Sequence, residues 1–127
     1  MKKICCAPHH SSCVELLCKT QGVDVNIKDV DGNTPLILAC RNGQTECVQV
    51  LCQTEGIDVN AKNKNEQTAL MLASREGHYK CVEILCQMEG ENLDVKDLEG
   101  KTALIYASEN KHTKCVEILC KVNGNNV

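Results

Sequence analysis

Tryptophan and phenylalanine are absent from this chain of 127 residues, and tyrosine occurs only as Tyr79 and Tyr106. Aromatic residues commonly supply the anchors of protein interfaces, so a partner must be recognised largely without them. Charge of one sign is also scarce. The 14 Lys and Arg stand against 17 Asp and Glu, a net charge of -3, and no five like charges run together. That balance disfavours nucleic acid and anionic membranes as partners. Apolar runs fall far short of the roughly 18 residues that span a bilayer. The opening MKKICCAPHH puts cysteines, a proline and two histidines where the apolar core of a secretory leader would follow the lysines. Neither a Gly-rich phosphate loop nor an HExxH pattern occurs, and the carboxylates recur as surface positions. Enzymatic activity is not expected.

Cysteine, by contrast, is abundant, with 11 residues. In a small secreted chain such density signals a disulfide framework. The odd count, and an opening in which no secretory leader is visible, are expected of a reducing interior. Most of the cysteines fall in four similar stretches: SCVELLC (12–18), ECVQVLC (46–52) and KCVEILC at both 80–86 and 114–120.

Those stretches belong to a period of 34 that covers the chain. Thr34, Thr68 and Thr102 follow it, as do Leu36, Leu70 and Leu104, and Ala39, Ala73 and Ala107. Cys13, Cys47, Cys81 and Cys115 form one cysteine series, and Cys18, Cys52, Cys86 and Cys120 another. Within a period the order reads turn, helix, helix. Asp31-Gly32 signals a turn, Thr34 an N-cap with Pro35 at the first helical position, and Gly43 a left-handed helix stop. The second helix carries TECVQVLCQ (45–53). At about 100° per residue its apolar arc, from Val50 through Cys47 and Leu51 to Val48 and Cys52, is unusually broad. Such an arc needs cover from more than one direction. An isolated unit cannot supply it, so the units must stack into an all-α solenoid.

At GNTPLILACRNGQTECVQVLCQTEGIDVN (32–60) the sequence resembles the ankyrin repeat, whose period is about 33 and whose motif is T-P-L-H-x-A. Thr34, Pro35, Leu36 and Ala39 match the motif, and one added residue around Glu55 accounts for the longer period. The resemblance implies an ankyrin-repeat solenoid of helix-turn-helix units joined by hairpin-like loops, in one domain with units at about 1–28, 29–62, 63–96 and 97–127. The first unit reads as a half-repeat without its hairpin. Lys2 and Lys3 replace the apolar Leu36 and Ile37 there, as a terminal cap requires.

The departures carry expectations. Ile37, Met71 and Ile105 stand where the motif has histidine, so apolar contact must replace a hydrogen bond. Glu66 stands in place of Gly32 and Gly100, and Lys111 in place of Gly43 and Gly77. A positive φ at either costs about 1 kcal/mol. His78 and His112 occupy the family's glycine-histidine position and read as satisfied helix-start histidines rather than general bases.

Geometry decides how the cysteine ladder is read. Equivalent positions in stacked helices lie about 8 to 10 Å apart, beyond the Cα separation of about 4.4 to 6.8 Å that a disulfide needs. Two positions five apart on one helix diverge by about 140° and cannot converge on one metal. Since the resemblance puts apolar aliphatics at these places, the cysteines are expected to be reduced, buried and structural. The alternative, a metal- or redox-responsive thiol protein, rests on Cys5, Cys6, His9, His10 and Cys13 as zinc-ligand types, with Cys6 and Cys120 as the reactive thiols. That spacing matches no standard zinc motif, and neither cofactor nor metal is expected.

Binding remains. The resemblance implies partner contacts from hairpin tips and the exposed face of each first helix, lining a concave groove. Those positions are Val30, Asp31, Asn33, Arg41 and Asn42 in the second unit, Lys64, Asn65, Gln67, Arg75 and Glu76 in the third, and Leu98, Glu99, Lys101, Glu109 and Asn110 in the fourth. The expected protein is a non-catalytic scaffold for a partner protein. It is expected to be intracellular, with the cytoplasm as its compartment and the nucleus left open. It is expected to be monomeric, with the C-terminal unit (Val116, Ile118, Cys120) the place for any weak self-association.

Overall fold

The computed structural model describes residues 25–88, 90 and 93–124. Six helices lie among them: α1 (Pro35–Arg41), α2 (Thr45–Cys52), α3 (Ala69–Glu76), α4 (Tyr79–Cys86), α5 (Ala103–Glu109) and α6 (Thr113–Gly124). Residues 1–24 of the first unit, with its expected polar cap, lie outside the described residues.

Each first helix starts where the sequence puts a threonine. The N–H groups of Ile37, Met71 and Ile105 donate to Thr34, Thr68 and Thr102 Oγ1 at 3.2, 3.3 and 3.3 Å. Each cap satisfies one of the N–H groups that a helix start leaves without an intrahelical partner. The second helices have no side-chain cap at Gln44 or His78. Backbone positions them instead: the N–H groups of Gln44, His78 and His112 each donate to the first helix, to Ala39, Ala73 and Ala107 O, all at 2.9 Å.

Units stack like on like. α1 packs on α3 and α3 on α5, while α2 packs on α4 and α4 on α6. Two layers of helices result, and the core lies between them: Leu36, Leu70, Ala39, Ala73, Ala107, Leu51, Leu85 and Leu119 are all buried. Ile37 and Met71, at the position of the motif histidine, are each 1% exposed, whereas Ile105 at the same position is 37% exposed. The residue type is the same kind; among the described residues only Ile37 and Met71 have a further unit stacked on their helix.

Hairpins are built by an Asx turn repeated with the period. Asp29 Oδ1 accepts from the N–H groups of Asp31 and Asn33, Asn63 Oδ1 from those of Asn65 and Gln67, and Asp97 Oδ1 from those of Glu99 and Lys101, all at 2.9 Å. Successive tips are tied by single backbone bonds, Lys64 N–H to Asp31 O at 3.0 Å and Leu98 N–H to Asn65 O at 3.1 Å. At the opposite edge Asn26 Nδ2 donates to Gly56 O at 2.8 Å and Asn60 Nδ2 to Gly90 O at 2.7 Å. These bonds set the register of one unit on the next at both edges.

Glu66 and Lys111 both have φ of 60°, the left-handed backbone expected from the glycines at equivalent positions. The histidines explain why Gly43 and Gly77 stay glycine while Lys111 does not. A Cβ on Gly43 would lie 2.7 Å from the His78 ring, and one on Gly77 the same distance from His112. His78 Nε2 reaches Arg41 O at 3.2 Å and His112 Nε2 reaches Arg75 O at 3.0 Å, so each ring lies across the preceding unit's helix end. They are the only two described histidines and both are used, so no described histidine covers Lys111. Its Cβ meets only the conformational cost.

Candidate functional site

Two kinds of site were open from the sequence, a thiol cluster and a concave binding face. The thiols come first. Cys47, Cys81 and Cys115 are at most 1% exposed, held between the helix layers. Cys81 also hydrogen-bonds the Cys40 thiol and lies 4.0 Å from Thr45 Oγ1. The bond from Cys40 is the main cause that draws the Cys81 thiol below its ordinary pKa, against its burial. Burial, with Cys81 close by, pushes Cys115 up. Cys52 is buried, Cys86 half-buried and Cys120 exposed, a gradient that follows the loss of cover towards the last unit. Ser74 occupies the position of Cys40 one unit on, and its buried hydroxyl has no hydrogen-bond partner among the described residues. That orphaned hydroxyl shows what a thiol avoids at such a place, since burying an unpaired O–H is costly. Cys5, Cys6, His9, His10 and Cys13 lie outside the described residues. Among those described, no group of three or more metal-ligating side chains exists.

The hairpin tips and first helices enclose two adjoining grooves. One, of about 420 Å³, runs between the second and third units and is lined by Asp31, Asn33, Arg41, Asn63, Lys64, Asn65, Gln67, Leu72 and Arg75. The other, of about 520 Å³, continues between the third and fourth, lined by Asn65, Gln67, Arg75, Asp97, Leu98, Glu99 and Tyr106. Asn65, Gln67 and Arg75 belong to both, so the face is continuous.

Nine of the fifteen residues named from the sequence line these grooves: Asp31, Asn33, Arg41, Lys64, Asn65, Gln67, Arg75, Leu98 and Glu99. Asn33 is only 5% exposed, and its Oδ1 accepts from Asn63 Nδ2 at 3.0 Å, so it braces the hairpin rather than presenting a free amide. Val30 stands at a tip, 81% exposed, outside the lining. Asn42, Glu76, Glu109 and Asn110 are exposed at the far ends of the first helices. Lys101 sits between Glu109 at 3.0 Å and Glu99 at 3.7 Å, and the hydrogen bond to Glu109 is the main reason its pKa is raised.

Four lining residues are additional to that set: Asn63, Leu72, Asp97 and Tyr106. Tyr106 replaces Leu38 and Leu72 in the period, and its hydroxyl donates to Asp97 Oδ2 while accepting from Gln67 Nε2 at 3.2 Å. Lys101 Nζ lies 5.5 Å from the centre of its ring. Burial by itself would push Asp97 up. The hydrogen bonds from Tyr106, Lys101 N–H and Glu99 N–H, with the Lys101 charge, outweigh it and hold the carboxyl below the ordinary carboxylate value. Burial and the same contact with Asp97 push Tyr106 up. The break in the period from leucine to tyrosine was the available signal, because a hydroxyl on a packed face needs a nearby acceptor.

A stack of hairpin-helix-helix units, like helix on like helix, defines a helical repeat solenoid. The family profile for ankyrin repeats (3 copies) matches residues 3–97 and 55–127, and the chain belongs to the ankyrin-repeat family. Members of that family are generally protein-protein interaction modules and typically non-catalytic. No curated protein matches the chain at a significant level. No helix among the described residues is long and apolar enough to cross a membrane.

Proposed function

We propose that this protein is a non-catalytic scaffold that binds a partner protein through the concave face of its hairpin tips and first helices. The units of about 29–62, 63–96 and 97–127 each contribute to that face, with Asp31, Arg41, Lys64, Asn65, Gln67, Arg75, Leu98 and Glu99 in the grooves. Asn33 lines the first groove and braces its hairpin, and Val30, Asn42, Glu76, Lys101, Glu109 and Asn110 belong to the surround. The observation that carries the reading is the convergence of side chains from three units on one continuous groove. Polar groups and exposed Leu98 there lie on a backbone fixed by Asx turns and inter-unit bonds. A surface already ordered before binding spares the entropy of ordering it on contact.

Placing a photo-crosslinking amino acid at Asn65, in the groove, and separately at Glu83, exposed on α4, tests this in extracts of the source cell. The partner is expected to crosslink from Asn65 and not from Glu83. Crosslinking from Glu83 alone would move the binding face to the outer helices and overturn the proposal.

A further inference from the structure

The concave face is electrically divided, and the division runs against the bulk charge of the chain. The lining of the groove between the second and third units has three cations, Arg41, Lys64 and Arg75, against one carboxylate, Asp31. Asp29, whose carboxyl is held down mainly by the Asn33 N–H, is near enough for the Arg41 charge to help. The adjoining groove has Arg75 against Asp97 and Glu99. A protein of net charge -3 therefore presents a cationic pocket that shades into an anionic one. Among the described residues neither Arg41 nor Lys64 is in an ion pair within 4.0 Å, and Arg75 meets only Glu76, through its Nε at 2.8 Å. The terminal nitrogens of both guanidinium forks donate to nothing else described. An arginine fork fits the two oxygens of a carboxylate.

Spacing supplies a second constraint. Arg41 and Arg75 hold the same place on consecutive stacked helices, which pack about 8 to 10 Å apart. A polyproline-type segment returns to the same face every three residues, over about 9 Å. Acidic side chains three apart on such a segment therefore meet successive arginines. Beyond Arg75 the carboxylates Asp97 and Glu99, the latter 3.7 Å from Lys101, disfavour a continued acidic run, so the acidic part of the segment is confined to the first groove.

We infer that the groove between the second and third units receives an extended, acidic segment of the partner protein, whose carboxylates three residues apart are gripped by Arg41 and Arg75 with Lys64 beside them. This rests on the scaffold reading above and names the partner's chemistry.

The probe is a fluorescein-labelled peptide of two Glu-Pro-Ala triplets, with Gln-Pro-Ala and Lys-Pro-Ala versions, titrated by anisotropy with the full chain. The Glu peptide is expected to bind at least about ten-fold more tightly than either other version, and to weaken as salt rises. Arg41→Gln/Arg75→Gln is expected to weaken it about ten-fold or more, Lys64→Gln less, and Lys121→Gln, outside the groove, not at all. Equal binding of the three peptides, no binding of the Glu peptide at about 1 mM, or binding that survives the double substitution each overturns the inference. If the Asn65 crosslink still captures a partner while the Glu peptide fails, the acidic-segment inference is rejected and the scaffold reading stands. If the crosslink also fails, both are rejected.

Discussion

Between the helix layers, equivalent positions of successive units carry identical residues: Cys47, Cys81 and Cys115, Leu51, Leu85 and Leu119, Ala39, Ala73 and Ala107, all buried. Along the concave face the equivalents differ: Asp31, Asn65 and Glu99 at one place, Val30, Lys64 and Leu98 at another, Arg41, Arg75 and Glu109 at a third. The first set is enclosed between the helix layers in every unit, so one side chain solves the packing three times. Positions in the second set face solvent, and packing does not choose among their side chains. The packed positions repeat in this molecule, and those of the face proposed for recognition do not. A third kind of position depends on whether a unit follows, as the exposure of Ile105 against Ile37 and Met71 shows.

The largest effects are expected where that third kind is tested. Met71→Ala should cost about 2 to 5 kcal/mol through lost burial and the cavity it leaves, whereas Ile105→Ala should cost under about 1 kcal/mol. Urea midpoints of the two variants measure the difference, and equal losses would mean that cover by the next unit is not what buries this position. Gly77→Ala comes next. It combines the left-handed backbone with a Cβ driven into the His112 ring, for about 2 to 4 kcal/mol. Lys111→Gly should instead stabilise by up to about 1 kcal/mol, since it relieves the same conformation where no histidine intervenes.

The thiol column is tested at Cys81. Serine there must bury a hydroxyl and should cost about 1 to 3 kcal/mol, with any bond to a carbonyl one turn back softening the loss. Alanine and valine should be tolerated better, and thermal or urea unfolding of the three variants gives the ranking. If serine is the most stable of them, the column is not a packing device.

A smaller effect, with a pH signature, is expected at Asp97. Its carboxyl lies below the ordinary value in the folded state, so the folded protein binds fewer protons than the unfolded chain around that range. The stabilisation is fully present above the unfolded carboxylate range and lost as pH falls through the lower folded value. Asp97→Asn should cost about 1 kcal/mol at neutral pH, and the gap to the parent should close as the solution is acidified below the carboxylate range. A gap that stays constant with pH would show that the charge of Asp97 contributes nothing.

Much of this is legible in the sequence because a 34-residue period repeats local signals. Threonine caps, the helix pair and the positive φ at Glu66 and Lys111 all follow from comparing one unit with the next. What the period does not reveal is contact between units. That His78 lies over Gly43, or that Asn33 is braced by Asn63, depends on residues at least 30 apart and on how two stacked surfaces meet. Tyr106 departs from the period, and only the fold shows its hydroxyl reaching both Asp97 in its own unit and Gln67 in the preceding one.

The central claim, that groove side chains carry recognition while the packed column carries stability, is tested most directly by Arg41→Gln/Arg75→Gln measured two ways on one preparation. The urea midpoint should correspond to a change within about 0.5 kcal/mol, as for surface positions generally, while crosslinking from Asn65 to the partner is lost. A clear fall in stability, or a crosslink that persists undiminished, would contradict it.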